Sequence, residues 1–172
     1  MPEELIDIYN QDNEPIGSVA TKQEAHEKGL WHRASHIWIY NSKGEILLQL
    51  RAKDKGLFPD MWDVAVGGHI SAGQEPLATA IRETKEESGL EASKDDLEFL
   101  TTYKNEVVLG EIDNKEFYYV YLFRYDGSIG SLVLQAEEVA EVDFFLIAKL
   151  EEELKNQLEK FAPPRRLLVQ ND

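Results

Sequence analysis

The sequence predicts a mixed α/β sandwich, and three features point to it. Short apolar stretches of strand-like composition alternate with turn residues along most of the chain. Two stretches with helical spacing, around residues 76–88 and 150–161, interrupt that series. Neither an internal repeat nor a low-complexity segment is visible, so the elements belong to one packed unit. Strands interleaved with a few helices stack as helical layers on a mixed sheet. At 172 residues and 42% hydrophobic, the chain suits a single domain, 1–172, with a sizeable core.

In chain order, ELIDIY and IGSVA flank the turn NQDNEP and read as a hairpin. TKQEAHEKG is a short helix that Gly29 ends, so residues 1–30 form an N-terminal extension of hairpin plus helix. HIWIYNSKGEILLQLRA folds back on itself at NSKG as a second hairpin. WDVAVGGHI, residues 62–70, is a short strand that runs into glycine. The helix after it has Pro76 in its first turn and Gly89 just past its end. On a wheel of ~100° per residue, Leu77, Ala80, Ile81, Thr84 and Ser88 share one side, and Glu83, Glu86 and Glu87 fall on the other. LEFLTTYKNEVV and KEFYYVYLFRYDG make a third strand pair, and EVDFFLI adds one more strand. In LEEELKNQLEKF, Leu150, Leu154, Leu158 and Phe161 recur at helical spacing. Residues 161–172 are expected to form a tail, packed on the body or loosely attached to it.

Charge narrows the partners. The 33 acidic residues outnumber 18 basic ones, for a formal charge of −15. That disfavours a nucleic-acid polymer or an anionic membrane surface as the main partner. A small anion stays compatible where metal ions or a local basic patch neutralise it. With 0 cysteines, disulfides, thiolate metal sites and a cysteine nucleophile are excluded. MPEELIDIYN lacks a basic region followed by an apolar run, and no stretch approaches the ~20 apolar residues of a membrane span. A cytoplasmic location is the resulting expectation.

The segment RETKEESG sets three glutamates on one helix face at i, i+3 and i+4, where like charges repel by a few tenths of a kcal/mol per pair (~0.2–0.5). A bound cation would offset the repulsion, and oxygen donors in this pattern suit Mg²⁺ or Mn²⁺. A solvated acidic face has the same pattern, so spacing alone decides little. The surrounding residues are more specific. GGHISAGQEPLATAIRETKEESGL, residues 67–90, resembles the signature of the Nudix hydrolases. Gly68, Arg82, Glu83, Glu86, Glu87, Gly89 and Leu90 all stand at the required spacings. Gln74 replaces the first motif glutamate, and Thr84 occupies a position that is apolar in the family.

The resemblance implies a Nudix-type α/β/α sandwich with the N-terminal hairpin as an extension. It implies that Glu83, Glu86 and Glu87, with the carbonyl of Gly68, hold Mg²⁺ or Mn²⁺, and that Arg82 orients a carboxylate. The chemistry implied is hydrolysis of a pyrophosphate linkage in a nucleoside diphosphate derivative or related small diphosphate. Relatives of this kind are often dimers, which makes a homodimer the oligomer to test for.

A longer likeness, over roughly residues 4–125, is to the isopentenyl diphosphate isomerase branch of the same superfamily. That isomerase holds a metal with histidines and glutamates. His26, His32 and His69 align with its histidines, Glu106 with one glutamate, and Lys104 falls where the other belongs. Its essential cysteine corresponds to Gly67 here. The missing cysteine and the intact motif glutamates favour hydrolysis over isomerisation. A nucleotide-binding Nudix module without activity is a further alternative, which the intact glutamates also weigh against.

Two choices of general base stay open: Glu87 inside the motif and Glu106 outside it. Glu111, Glu116, Glu137 and Glu138 read as solvated surface. Arg51 and Lys53, with Lys55, offer positive charge for phosphate. Trp62 and Phe58 are candidate pocket walls, His69 a candidate substrate contact, and His36 a structural residue.

Overall fold

The computed structural model describes residues 3–162. The N-terminal hairpin pairs β1 (Leu5–Tyr9) with β2 (Pro15–Thr21), antiparallel. Helix α1 (Lys22–Lys28) starts on a capping box. The Glu24 amide donates to Thr21 Oγ1 at 3.2 Å, and the Thr21 amide donates to Glu24 Oε2 at 3.1 Å. Gly29 ends α1 with φ of 60°, the left-handed conformation that glycine adopts without strain.

The main sheet holds β3 (His32–Tyr40), β4 (Glu45–Arg51), β5 (Trp62–Val64), β6 (Val66–His69), β7 (Leu97–Leu109), β8 (Ile112–Arg124) and β9 (Val139–Leu146). Its order is β5-β4-β3-β8-β7, with β6 added to β3 and β9 to β4. The β3–β8 pair is parallel and the others antiparallel, so the sheet is mixed, as expected. The segment 62–70 departs from the expected single strand. It breaks at Ala65 because its first part pairs with β4 and its second with β3.

That break matters for the site. Strands β3 and β4 pair directly only at Ile39↔Leu47 and Tyr40↔Ile46. Beyond this point they part, and each takes a separate partner strand. The parting opens a cavity in the sheet.

Helix α2 (Pro76–Ser88) covers one face of the sheet, against Ile37, Ile39, Leu47, Val66 and Tyr121. Helix α3 (Ile147–Asn156) covers the other, where Leu150 and Leu154 meet Trp38, Leu48 and Val120. The alternation of Ile37, Trp38 and Ile39 along β3 supplies both faces. Leu154 is 2% exposed, and truncating such a leucine to alanine costs ~2–5 kcal/mol. The architecture is the expected α/β/α sandwich. α3 begins before Leu150 and ends at Asn156, and Leu158–Lys160 form a separate 3-10 turn. The expected tail lies outside the described residues from 163 onward.

Candidate active site

Two groups of functional side chains flank the strand β6. On one side is a histidine centre. Gly29 and Leu30 lead from α1 into β3, which brings His26 beside His32, and β6 runs antiparallel to β3 and adds His69. The parallel register His32↔Glu116 places a glutamate from β8 among them. Ligating atoms of His26, His32, His69 and Glu116 lie within 4.8 Å of one another. Ring centroids are 5.4 Å apart for His26–His32, 5.8 Å for His26–His69 and 5.2 Å for His32–His69.

The donor set fits a metal ion. His32 Nδ1 lies 2.8 Å from the Leu30 carbonyl, which can only accept, so Nδ1 carries the proton. In the neutral ring Nε2 is then an acceptor, yet it faces Glu116 Oε1 at 3.4 Å, while His69 Nε2 is 3.1 Å from the same oxygen. The Nε2 atoms of His26, His32 and His69 are buried without a hydrogen-bond partner. Burial pushes the His69 imidazole down, and pushes His26 to about 4 with the neighbouring His32 and His69 adding to it. Burial would raise Glu116, but the adjacent imidazoles of His32 and His69 outweigh it and hold the carboxyl well below its usual range. Glu116 Oε2 also accepts from Asn114 Nδ2 at 2.8 Å and from the Tyr118 hydroxyl. Unpaired imidazole nitrogens facing a carboxylate suit one bound cation.

On the other side is the acidic face of α2. Arg82 bridges it, with Nη2 2.8 Å from Glu83 Oε1 and Nη1 2.9 Å from Glu86 Oε2. Glu86 is exposed, while Glu87 is only 8% exposed and turns inward rather than facing solvent as the wheel suggests. Glu87 Oε2 accepts from the Gly67 amide at 3.2 Å. Burial pushes the Glu87 carboxyl up to about 8, against the lowering effect of that hydrogen bond, and it also raises Glu83. Gly68 packs directly against Glu83, where a β-carbon would overlap the carboxylate. Glycine at this position therefore lets the helix carboxylates approach the β6 backbone. Thr84 is fully buried and donates to the Ala80 carbonyl at 2.7 Å, which accommodates its hydroxyl on the core face. Gln74 is exposed beside the turn at Ser71.

The cavity in the parted sheet measures about 140 Å³ and is lined on one wall by His26, His69 and Glu116. Arg51 and Lys55 also line it. Arg51 is fixed by Asp63, 3.1 Å away, and by donation to the Leu57 carbonyl at 3.0 Å. An outer pocket of about 600 Å³ shares Lys22, His26, Arg51 and Lys55 with it.

Several expected residues fall elsewhere. Glu106 lies on β7, half exposed, and pairs with Lys115 at 3.3 Å, away from the histidine centre. The glutamate in that centre is Glu116, which reads as surface in the sequence. Lys104 donates to the Gln11 carbonyl at 2.7 Å and sits 4.6 Å above the Trp31 ring, also outside the cluster. Lys53 is exposed and does not line the cavity, whereas Lys55 does. Trp62 packs edge-on against Phe145, 4.8 Å between centroids, in the core rather than in the cavity wall. Lys22 and Asn114, which carry no signal in the sequence, join the lining.

Fold, motif and site together set a carboxylate-bearing helix face and a histidine–glutamate cluster on the two sides of one strand. The chain belongs to the Nudix family: the NUDIX domain matches residues 30–168. It is 37% identical over 168 residues to Nudix hydrolase 3 of Arabidopsis thaliana, covering 95% of this chain but 21% of that protein's length. An uncharacterized Nudix hydrolase of Clostridium acetobutylicum is 33% identical, covering 92% of this chain and 78% of that one. An isopentenyl-diphosphate Delta-isomerase of Serratia proteamaculans is 31% identical, with 92% and 86% covered. In structure, a Deinococcus radiodurans protein superposes with a TM-score of 0.73 at 20% identity over 96% of this chain and 97% of that one. The protein is thus a Nudix-family enzyme, of a family that acts on diphosphate-containing substrates with divalent metals. Among the described residues, no helix is long and apolar enough to cross a membrane.

Proposed function

We propose that the protein is a divalent-metal-dependent pyrophosphohydrolase acting on a small diphosphate, with Mg²⁺ or Mn²⁺ at the α2 carboxylates. The observation that carries this reading is the placement of Glu83 and Glu87 against the Gly67–Gly68 backbone, with Arg82 tying Glu83 to Glu86. A divalent ion bound there supplies positive charge to phosphate oxygens. Arg51 and Lys55 supply positive charge to the diphosphate from the cavity that the Gly67–Gly68 backbone also lines. Glu87 is the base that takes a proton from the attacking water. Its inward position removes it from bulk solvent, and a nearby cation favours its ionised form. Glu106 is a weaker choice, since its carboxylate faces Lys115.

The histidine centre suits a transition metal such as Zn²⁺, because imidazole nitrogen is its usual donor. It supports a second reading, since it keeps the histidines of the isomerase likeness. Gly67 in place of a cysteine leaves that chemistry without its acid–base partner.

The test is product release from a panel of nucleoside and alkyl diphosphates with Mg²⁺, Mn²⁺ or EDTA, alongside Glu87→Gln. Metal-dependent cleavage lost in the variant is expected. Double-bond migration without phosphate release would establish the isomerase reading instead, and binding without turnover would make the protein a sensor.

A further inference from the structure

We propose that His36 sets the specificity of the inner cavity, selecting a small diphosphate whose organic substituent carries an uncharged hydrogen-bonding group. The inference rests on the diphosphate reading above.

His36 follows His32 and Ala34 on the same face of β3, one step deeper than the histidine centre. Across the sheet it pairs with Gly67. A β-carbon at Gly67 would stand 3.0 Å from His36 Cδ2 and 3.4 Å from Nε2, so the imidazole occupies the space over that glycine. Its flat face stacks on Tyr118 with centroids 3.9 Å apart. The ring is only 8% exposed, lines the cavity, and its Nδ1 has no hydrogen-bond partner. A buried imidazole held this firmly without a protein partner is a group kept for a ligand.

His26 Nε2, His69 Nε2 and Asn114 Oδ1 also lack a partner in this lining, the two imidazoles within the metal-ligating cluster, while two carboxylates of the lining are already engaged. Asp63 is held by Arg51 and the Val64 amide, and Glu116 by Asn114 and Tyr118. The cations Lys22, Arg51 and Lys55 line both the inner cavity and the outer pocket, whereas His36 lines only the inner one. An anionic diphosphate therefore settles at the shared wall, which leaves its substituent facing His36. The inner volume of about 140 Å³ limits that substituent's size. Burial also keeps His36 neutral, so it offers a hydrogen bond and not a charge.

The experiment compares 4-hydroxybutyl diphosphate with pentyl diphosphate, which match in heavy-atom count and differ in one hydroxyl. Kd is measured by calorimetry and kcat/KM by phosphate release, for the wild type, His36→Phe and His36→Gln. The wild type is expected to favour the hydroxylated compound by about tenfold or more in both quantities. His36→Phe, which keeps an aromatic ring for Tyr118, should bring the ratio near one, and His36→Gln should restore part of it. Hydroxyl-selective binding without turnover would leave this inference standing and remove the hydrolase reading. Turnover of both compounds with no preference would overturn the inference alone. A preference unchanged in a folded His36→Phe protein would overturn it too, as would failure of both compounds to bind.

Discussion

The histidine centre and the acidic face of α2 sit on opposite sides of β6, yet they solve the problem of gathering metal donors differently. The histidine centre converges in advance: burial lowers the His26 and His69 imidazoles, and the Glu116 carboxyl is held well below its usual range. The α2 face keeps its carboxylates from repelling one another by other means. Arg82 bridges Glu83 and Glu86, and burial raises the Glu87 carboxyl to about 8. The first arrangement is preformed and suits a resident ion. The second has to exchange a guanidinium contact and a proton for a cation, which suits an ion that arrives with substrate phosphates.

The largest effect that separates the two is expected at Glu87. Glu87→Gln should lower kcat by ~10²–10⁴-fold, the scale of a lost general base, while transition metal retained by the histidine centre stays unchanged in elemental analysis. Equal loss of both would show that the two regions form one site. His69→Ala should do the reverse to metal content, stripping the ion that survives dialysis. Retention of that ion would remove His69 from the ligand set. Tyr118→Phe removes a hydrogen bond to Glu116, so affinity of the histidine centre should fall by ~10-fold in a competition titration with a chelator.

A pH effect follows for the α2 face. The Glu87 carboxyl is raised by burial to about 8 from an ordinary 4.5. The folded protein thus holds a proton that the unfolded chain gives up. Stability linked to that proton is full below the unfolded value and is lost as pH rises through about 8, at up to ~1.4 kcal/mol per pH unit. In EDTA, thermal melting should therefore fall across this window, and Glu87→Gln should flatten the curve. A flat wild-type curve would mean that Glu87 is already ionised. The smallest effect is expected at Gln74, which is exposed: Gln74→Glu should change Mg²⁺ affinity by no more than a few-fold in a metal titration.

The sequence makes the α2 site legible because its residues are contiguous. Proline, glycine and the glutamate spacing fix the helix and its face together. Even so, Glu87 and its inward turn escape a wheel, which reports direction but not the depth at which β6 packs. The histidine centre is assembled from α1, β3, β6 and β8, so its membership depends on strand register. Register is where linear reading fails: Glu106 and Lys104 lie on β7, and the glutamate that joins the three histidines is Glu116 on β8. Two neighbouring strands of mixed aromatic and charged residues give no signal for which carboxylate turns inward. Lys53 and Lys55 differ in the same way, since only the loop's path shows which one reaches the cavity. Trp62, aromatic beside a glycine-rich strand, serves the core instead.

The most direct test of the central claim is the fate of solvent oxygen. The enzyme would be run with Mg²⁺ in ¹⁸O-labelled water on whichever diphosphate it turns over fastest, and products analysed by mass spectrometry. Hydrolysis at phosphorus predicts one label in a phosphate-containing product, and none above background with EDTA or Glu87→Gln. A product that forms without taking up label in its phosphate would contradict the account, and would return the histidine centre to the middle of the chemistry.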